Sequence, residues 1–230
     1  TAIWESSTLL VDQAKKIAAD LLEASEEDLS LNTDSGLFHV VGTPSIGVSW
    51  QDIAEFAETQ TDGPRLLHAE EVFDSEGPTF PFGTHIALIE LDIETGAVEL
   101  QRLIACDDAG VILNPLLADG QVHGCLAQGA AQALVEEFRY DEYGNPLTTN
   151  FADYPVISAT ELPMFERVVL ETPTHINPLG AKGIGESGTV GATPAIQNAV
   201  IDALSHLGVR HLDMPLTPEK VWREIQARAT

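Results

Sequence analysis

Apolar residues recur at helical spacing in some stretches of the chain and alternate with polar ones in others, and these two periods divide it into helices and strands. Leu10, Ala14, Ile17, Ala18 and Leu21 share one face of a helix predicted from about Thr8 to Glu23, with Asp, Lys and Glu on the opposite face. Alternation follows on both sides of Asp34, Ser35 and Gly36, which read as the turn of a hairpin. Ser49 reads as the cap of a short helix to about Glu58 that turns Ile53, Ala54 and Phe56 inward. The T-D-G-P segment at 61 to 64 is a turn. From Leu66 to Phe73 the pattern is that of a strand, and His85 to Asp92 is a second one. Glu94, Thr95 and Gly96 turn the chain into a third strand, Ala97 to Asp108, so an antiparallel sheet is expected.

Asn114 and Pro115 break the strand pattern, and a helix is predicted from about Leu117 to Phe138 with Val122, Leu126, Ala130, Leu134 and Phe138 on one face. Gly120, Gly124 and Gly129 thin a flank of that helix. Each costs about 1 kcal/mol of propensity against alanine, so close approach of a backbone or a ligand is expected there. The segment 138 to 149 reads as another hairpin, and Phe165 to Glu171 as a strand. Thr193 and Pro194 read as cap and first residue of a helix whose Ile196, Ala199, Val200, Ala203, Leu204 and Leu207 recur on one side. Thr217 and Pro218 open a terminal helix that buries Val221, Trp222 and Ile225. No linker or low-complexity run interrupts the chain, so residues 1–230 are expected to form a single α+β domain, antiparallel sheets with packed helices in two intimate lobes.

The candidate chemistry lies between the last strand and the helix after it. From Asn177 the sequence runs N-P-L-G-A-K-G-I-G-E-S-G, a glycine-rich loop with one carboxylate, Glu186, leading into a buried-face helix. Such a loop sits at the positive end of a helix dipole, and its glycines leave backbone N–H groups open to a flat or anionic ligand. Gly183, Gly185 and Gly188 spell G-x-G-x-x-G, but the dinucleotide fingerprint needs a strand ending at its first glycine. Pro178 and Gly180 make the preceding residues a loop, and Glu186 would set a negative charge in the phosphate cradle. A carboxylate in that place suits base chemistry, or merely complements the helix dipole. Ser187 lacks the G-x-S-x-G elbow of a nucleophile, and Lys182 reads as a loop cation close to an anionic ligand. The seven histidines and two cysteines form no metal spacing; His211 with Asp213 and His123 with Cys125 lack a third ligand.

Length and charge narrow the picture. With 230 residues and 44% hydrophobic content, the chain is long enough for one substantial core. No run approaches the roughly 20 apolar residues of a membrane span, and a cytoplasmic location is expected. The 36 acidic residues against 11 basic ones give a formal charge of -25, which leaves too few cations for nucleic acid or an anionic membrane.

The segments T-F-P-F-G-T-H-I-A (79 to 87), D-D-A-G-V-I-L-N-P-L-L-A-D-G-Q-V-H-G-C-L-A-Q-G (107 to 129), the loop from Asn177 and L-D-M-P-L-T-P-E-K-V-W (212 to 222) occur in that order. Together they resemble the C-terminal part of the molybdopterin-binding large subunit of the xanthine dehydrogenase, aldehyde oxidase and carbon monoxide dehydrogenase family. The resemblance implies a molybdenum hydroxylase that oxidises an aldehyde, an N-heterocycle or carbon monoxide with oxygen from water. It maps the family's catalytic glutamate, which takes a proton from a molybdenum-bound hydroxyl, onto Glu186. It makes Gln121, Gly183, Ile184, Gly185 and Ser187 contacts of a molybdopterin cofactor, the cytosine dinucleotide form. The metal is then held by the pterin, with no protein ligand. Iron-sulfur clusters and FAD are implied on partner subunits, and the remainder of the large subunit, with its earlier glycine-rich loops, as a further partner. Cys125 departs from the family pattern, standing where a second glycine is usual and adding a side chain near the cofactor turn, or filling a small core position. A nucleotide-binding dehydrogenase using the Gly183 to Gly188 loop, and a structural fragment without catalysis, are the rival readings.

The charge generates a prediction. The Debye length falls from about 30 Å at 0.01 M salt to about 3 Å at 1 M. Thermal melting in increasing potassium chloride should show a rising Tm as self-repulsion is screened, and a flat or falling curve would mean that the acidic groups are too dispersed to matter.

Overall fold

The computed structural model describes residues 1–59 and 67–228. The chain divides into two compact units, Thr1–Ser75 and Glu76–Thr230.

In the first unit, α1 (Ala2–Leu22) buries Ala14, Ile17 and Ala18, the face expected from the sequence. The helix begins six residues before Thr8, because its first turns carry Ile3 and Trp4 exposed and so leave no buried periodicity to read. Strands β1 (Leu29–Asn32), β2 (Leu37–Val40) and β3 (Thr43–Ser49) form an antiparallel sheet in that order. Asn32 accepts the N–H groups of Asp34 and Ser35 and so closes the turn at Gly36. Ser49 and Asp52 exchange bonds at the start of α2 (Trp50–Thr59), whose Ile53 and Ala57 meet Phe38 in a small core. The turn expected at 61 to 64 lies outside the described residues. From Leu67 to Phe73 the chain forms no strand, contrary to expectation: its apolar side chains find no sheet partner, and Val72 is 86% exposed.

The second unit holds the larger core. Strands β4 (Phe82–Leu91) and β5 (Val98–Asp108) pair antiparallel, as the alternation requires. The strand β6 (Glu166–Leu170), however, joins β5 in parallel. A crossover through α3 (Pro115–Leu134) separates them, and such a connection returns the chain in the direction of the strand it left. Arg167 of β6 forms an ion pair with Asp119 in the first turns of α3. The Asn114 side chain accepts the Leu117 N–H, so α3 starts at Pro115 with its cap satisfied. It ends at Leu134, four residues short of Phe138, whose ring lies half-exposed against Tyr140 in the following turn. Between 138 and 149 the expected hairpin is reduced to one bridge, Tyr140 to Pro146, around a turn closed by Asp141.

Helix α4 (Ser187–Ala203) packs against both β4 and α3. It starts well before the expected cap at Thr193, and Pro194 stands inside it. The Thr193 hydroxyl is not free to cap because it donates to the Gly129 carbonyl of α3 at 3.3 Å. Gly129 and Thr193 mark the point where the helices touch: a Cβ on Gly129 would lie 2.8 Å from the Ala192 Cβ and 3.2 Å from the Thr193 nitrogen. Helix α5 (Pro218–Arg228) begins as expected and buries Val221 and Ile225. Trp222, one step round the helix, is instead 41% exposed at the edge, with its backbone over Gly96.

Gly129→Ala should therefore force the two helices apart. An overpacked contact of this kind costs about 1–3 kcal/mol, to be read as a lowered urea midpoint with unchanged m-value.

Candidate active site

The glycine-rich loop is built on a buried ion pair. Asp108, the last residue of β5, is fully buried, and its Oδ1 lies 2.9 Å from the Lys182 ammonium. The same oxygen accepts the Gly110 N–H. Backbone bonds complete the attachment: Lys182 N–H donates to Ala109 O at 2.8 Å, and Val111 N–H donates to Gly180 O at 3.0 Å. Asn177 reaches over the turn, donating to Ala181 O and accepting its N–H. Gly110, with φ of 66°, is required at this crossing, because a Cβ there would stand 2.2 Å from the Gly180 carbonyl. Burial pushes the Asp108 carboxyl up. Hydrogen bonds from the Thr172 hydroxyl, the Gly110 N–H, Lys182 and the Thr172 N–H outweigh it and hold the carboxyl well below the usual carboxylate range. Lys182 is thus turned inward to Asp108 and over the Phe82 ring, 4.5 Å from its centroid, so its charge is already matched by a carboxylate.

Past Lys182 the glycines of the loop are uncovered, while Ile184 packs against the core. Gly183 and Gly185 are exposed and have nothing within 4 Å of an added Cβ, and Gly120 and Gly124 on α3 are equally open. The loop then enters α4 at Glu186, its N-cap residue, which is exposed and makes no capping bond with its side chain. A carboxylate there stands at the positive end of the helix dipole with its oxygens available. Ser187 donates back to the Ile184 carbonyl at 3.3 Å.

Four of the six predicted site residues line two clefts, and Gly183 and Gly185 line neither. Glu186 and Ser187 line one of about 280 Å³ together with Phe82, His85, Asp107 and Gly191. Gln121 and Ile184 line another of about 200 Å³ with Lys182, Asn114 and Leu117. A larger cleft of about 480 Å³, between β5 and the segment 157–163, contains none of these groups. Cys125 faces neither small cleft. It is buried between the helices, its Sγ donates to the Gly185 carbonyl at 2.8 Å, and its own carbonyl accepts the Thr189 hydroxyl at 3.0 Å. The backbone that approaches it closely belongs to Gly188, where a Cβ would lie 2.6 Å from that of Cys125. Among the described residues, no group of three His, Cys, Asp or Glu side chains comes together to hold a metal, and no helix is long and apolar enough to cross a membrane. His211 and Asp213 are paired but exposed. The strand that a dinucleotide fingerprint needs before Gly183 is not there, since β6 ends at Leu170 and turns and a bridge intervene.

Residues 1–163 match the model of the molybdopterin cofactor-binding domain. The chain belongs to that family. It is 38% identical over 216 residues to the carbon monoxide dehydrogenase large chain of Hydrogenophaga pseudoflava, covering 93% of this chain and 27% of that protein. It is also 38% identical to the nicotine 6-hydroxylase large subunit of Paenarthrobacter nicotinovorans, covering 90% of this chain and 26% of that one. The crystal structure of quinoline 2-oxidoreductase from Pseudomonas putida 86 superposes with a TM-score of 0.87 at 35% identity, over 96% of this chain and 29% of that chain. The chain therefore spans between a quarter and a third of the length of these relatives. The family match takes in Gln121 and ends before Glu186, but a match over 93% of the chain necessarily spans both.

Sequence reasoning missed His85 and Asp107 as neighbours of Glu186. Their signal was present in the strand pattern, which places both near the same end of the β4–β5 pair, Gly83 opposite Asp107.

The ion pair generates a pH prediction. Because the folded-state pKa of Asp108 is depressed, its contribution to stability is fully present above the unfolded value near 3.9 and is lost as pH falls through the folded value. Asp108→Asn should lower stability at neutral pH by roughly 3–5 kcal/mol, as expected when one partner of a buried pair is removed. It should also flatten the acid limb of a stability-against-pH curve below about pH 4, which chemical denaturation at stepped pH will measure.

Proposed function

We propose that the chain forms part of a molybdenum hydroxylase, an oxidoreductase acting on an aldehyde, an N-heterocycle or carbon monoxide with water as the oxygen source. The observation that carries this reading is Glu186: an exposed carboxylate without a capping bond, at the positive end of α4, beside a loop left open to a ligand. The fit to a molybdopterin is supported by Gly120, Gly124, Gly183 and Gly185, since a flat ring system can lie where Cβ atoms would otherwise project. When bound, that group supplies the oxygen to be transferred and accepts the substrate's electrons.

The chain's own residues then divide the remaining work. Gln121 offers a donor and an acceptor from one amide, the pairing a pterin edge requires. The backbone of Gly183, Ile184, Gly185 and Ser187 would hold an anionic part of the cofactor, a charge that the helix dipole favours. Glu186 takes up the proton that must leave when oxygen is activated, at a carboxylate that makes no capping bond. We read the cofactor as the cytosine dinucleotide form, the partners as the rest of the large subunit with iron-sulfur and FAD subunits, and the substrate as a small molecule.

Glu186→Gln in the assembled enzyme tests this. Glutamine keeps the size and reach of the side chain but cannot accept the proton, so turnover should fall by about 10²–10⁴ or more at unchanged molybdenum content. A carboxylate that only complemented the helix dipole would contribute at most about 1 kcal/mol of stability, and the variant would stay active. Full activity at matched molybdenum loading sinks the base assignment.

A further inference from the structure

The sheet of β4, β5 and β6 is apolar on both of its faces. A sheet with one wet face alternates apolar and polar residues along each strand. Here Ala87, Ile89, Leu103 and Ala105 pack into the core, yet Ile86 to Ile89 on β4 and Val168 to Leu170 on β6 are unbroken apolar runs. Strand register sets the alternate residues on the outer face: Ile86 lies opposite Ile104, and Thr84, Cys106 and Val168 form the next row across the three strands. Ile86, Leu88, Val168 and Leu170 are between 41% and 54% exposed. Beside this patch Arg102 and Glu166 are joined by two hydrogen bonds of 2.6 and 2.8 Å, so that pair adds no net charge. At the other end Phe82, Asp108 and Leu170 are in register, and Lys182 reaches over the Phe82 ring to Asp108. The patch thus runs up to the root of the glycine-rich loop.

Contiguous apolar surface on a sheet is a liability in water and is normally covered. We propose that the outer face of this sheet is the seat of an apolar element from the remainder of the large subunit, which buries it and braces the root of the loop. The chain accounts for 27% and 26% of the length of two relatives that it matches over 93% and 90% of its own, so most of such a polypeptide lies outside it. A face this apolar suits a permanent interface within one protein, whereas a transient partner meets a surface about as polar as the rest of the molecule. A second copy of the chain is disfavoured by charge: each carries -25, and pairing would set the two fields against each other. The inference takes from the reading above only the existence of that remainder, and makes no use of Glu186.

Cys106 reports on the face, because it lies in the outer row and is a partly exposed free thiol, whereas Cys125 is buried. A maleimide should label Cys106 in the isolated chain. In the large subunit, assembled without the iron-sulfur and FAD subunits, labelling should be at least about tenfold slower, since a covered thiol reacts only through opening. Two substitutions of opposite charge, Ile86→Glu and Val168→Lys, should each leave the melting of the isolated chain unchanged. In the assembled subunit each should return the labelling rate to within about threefold of the isolated chain, because an unpaired charge resists burial there. Equal labelling in the isolated chain and the assembled large subunit overturns the proposal. So does protection that appears only when the other subunits are added, or that grows with the concentration of the chain alone, which marks a second copy. A rate restored by Ile86→Glu but not by Val168→Lys marks repulsion between acidic surfaces and overturns it as well, as does protection that survives both substitutions. If Glu186→Gln is fully active, the base assignment fails and the seat stands; if Glu186→Gln is inactive while Cys106 labels freely in the large subunit, only the seat fails.

Discussion

The site depends on one buried ion pair. Asp108 and Lys182 are 74 positions apart in sequence, and their contact converts the end of a strand into the anchor of a loop. An unpaired carboxylate in that place would carry a desolvation cost of several kcal/mol, so the loop is fixed wherever the ammonium can reach it. The Gly110 N–H donates to the same carboxylate oxygen as the ammonium, which makes one geometry much better than its neighbours. The glycines after Lys182 are then open because the residues before it are rigid. A loop tied at its root can leave its tip uncovered without becoming disordered in direction.

The second constraint is the contact between α3 and α4. Gly129 and Gly188 let the helices approach until backbone meets side chain, and Thr193, Thr189 and Cys125 hydrogen-bond across the gap. Two of these bonds bracket Glu186: the Cys125 thiol binds the carbonyl of Gly185 before it, and the Cys125 carbonyl binds the hydroxyl of Thr189 after it. Cys125 therefore works at the loop's buried side. The open side, where Gly120 and Gly124 lie, is unaffected by it. Helix α3 thus has one flank of small residues for its neighbour and another left free, a distinction that spacing alone does not make.

Much of this was legible in the sequence, and the failures have physical causes. Period-two alternation located β4 and β5 within a few residues, and the buried faces of α1, α3 and α4 were read from period 3.6. What could not be read was partner choice. Thr193 followed by Pro194 has the local chemistry of a helix start, yet the hydroxyl found a better acceptor on another helix, and packing carried α4 through the proline. Leu66 to Phe73 has strand composition, but a strand requires an edge to pair with and none is offered to its described residues. The parallel seat of β6 likewise depends on a crossover, which no local pattern encodes. For the candidate site, Glu186, Gln121 and the glycines are proposed from motif, whereas the contact of His85 with Asp107 comes from strand register.

The charge of the chain bears on how such a site can bind an anionic cofactor. With a formal charge of -25, a ligand carrying phosphate meets a repulsive field over much of the surface. Lys182, the one cation between Asn177 and Glu186, is matched by Asp108 and adds little net attraction. On the proposed reading, recognition would fall to groups that attract without a formal charge: the N–H groups of the Gly183–Ser187 backbone and the aligned dipoles of α4. Those act over a few ångströms and only along fixed directions, so they reward a rigid loop far more than a cluster of mobile lysines would. The buried ion pair and the helix contact supply that rigidity. In this chain the electrostatics of binding and the packing of the loop are therefore one problem, and loosening Asp108 or Gly129 should be felt at the ligand before it is felt in the fold.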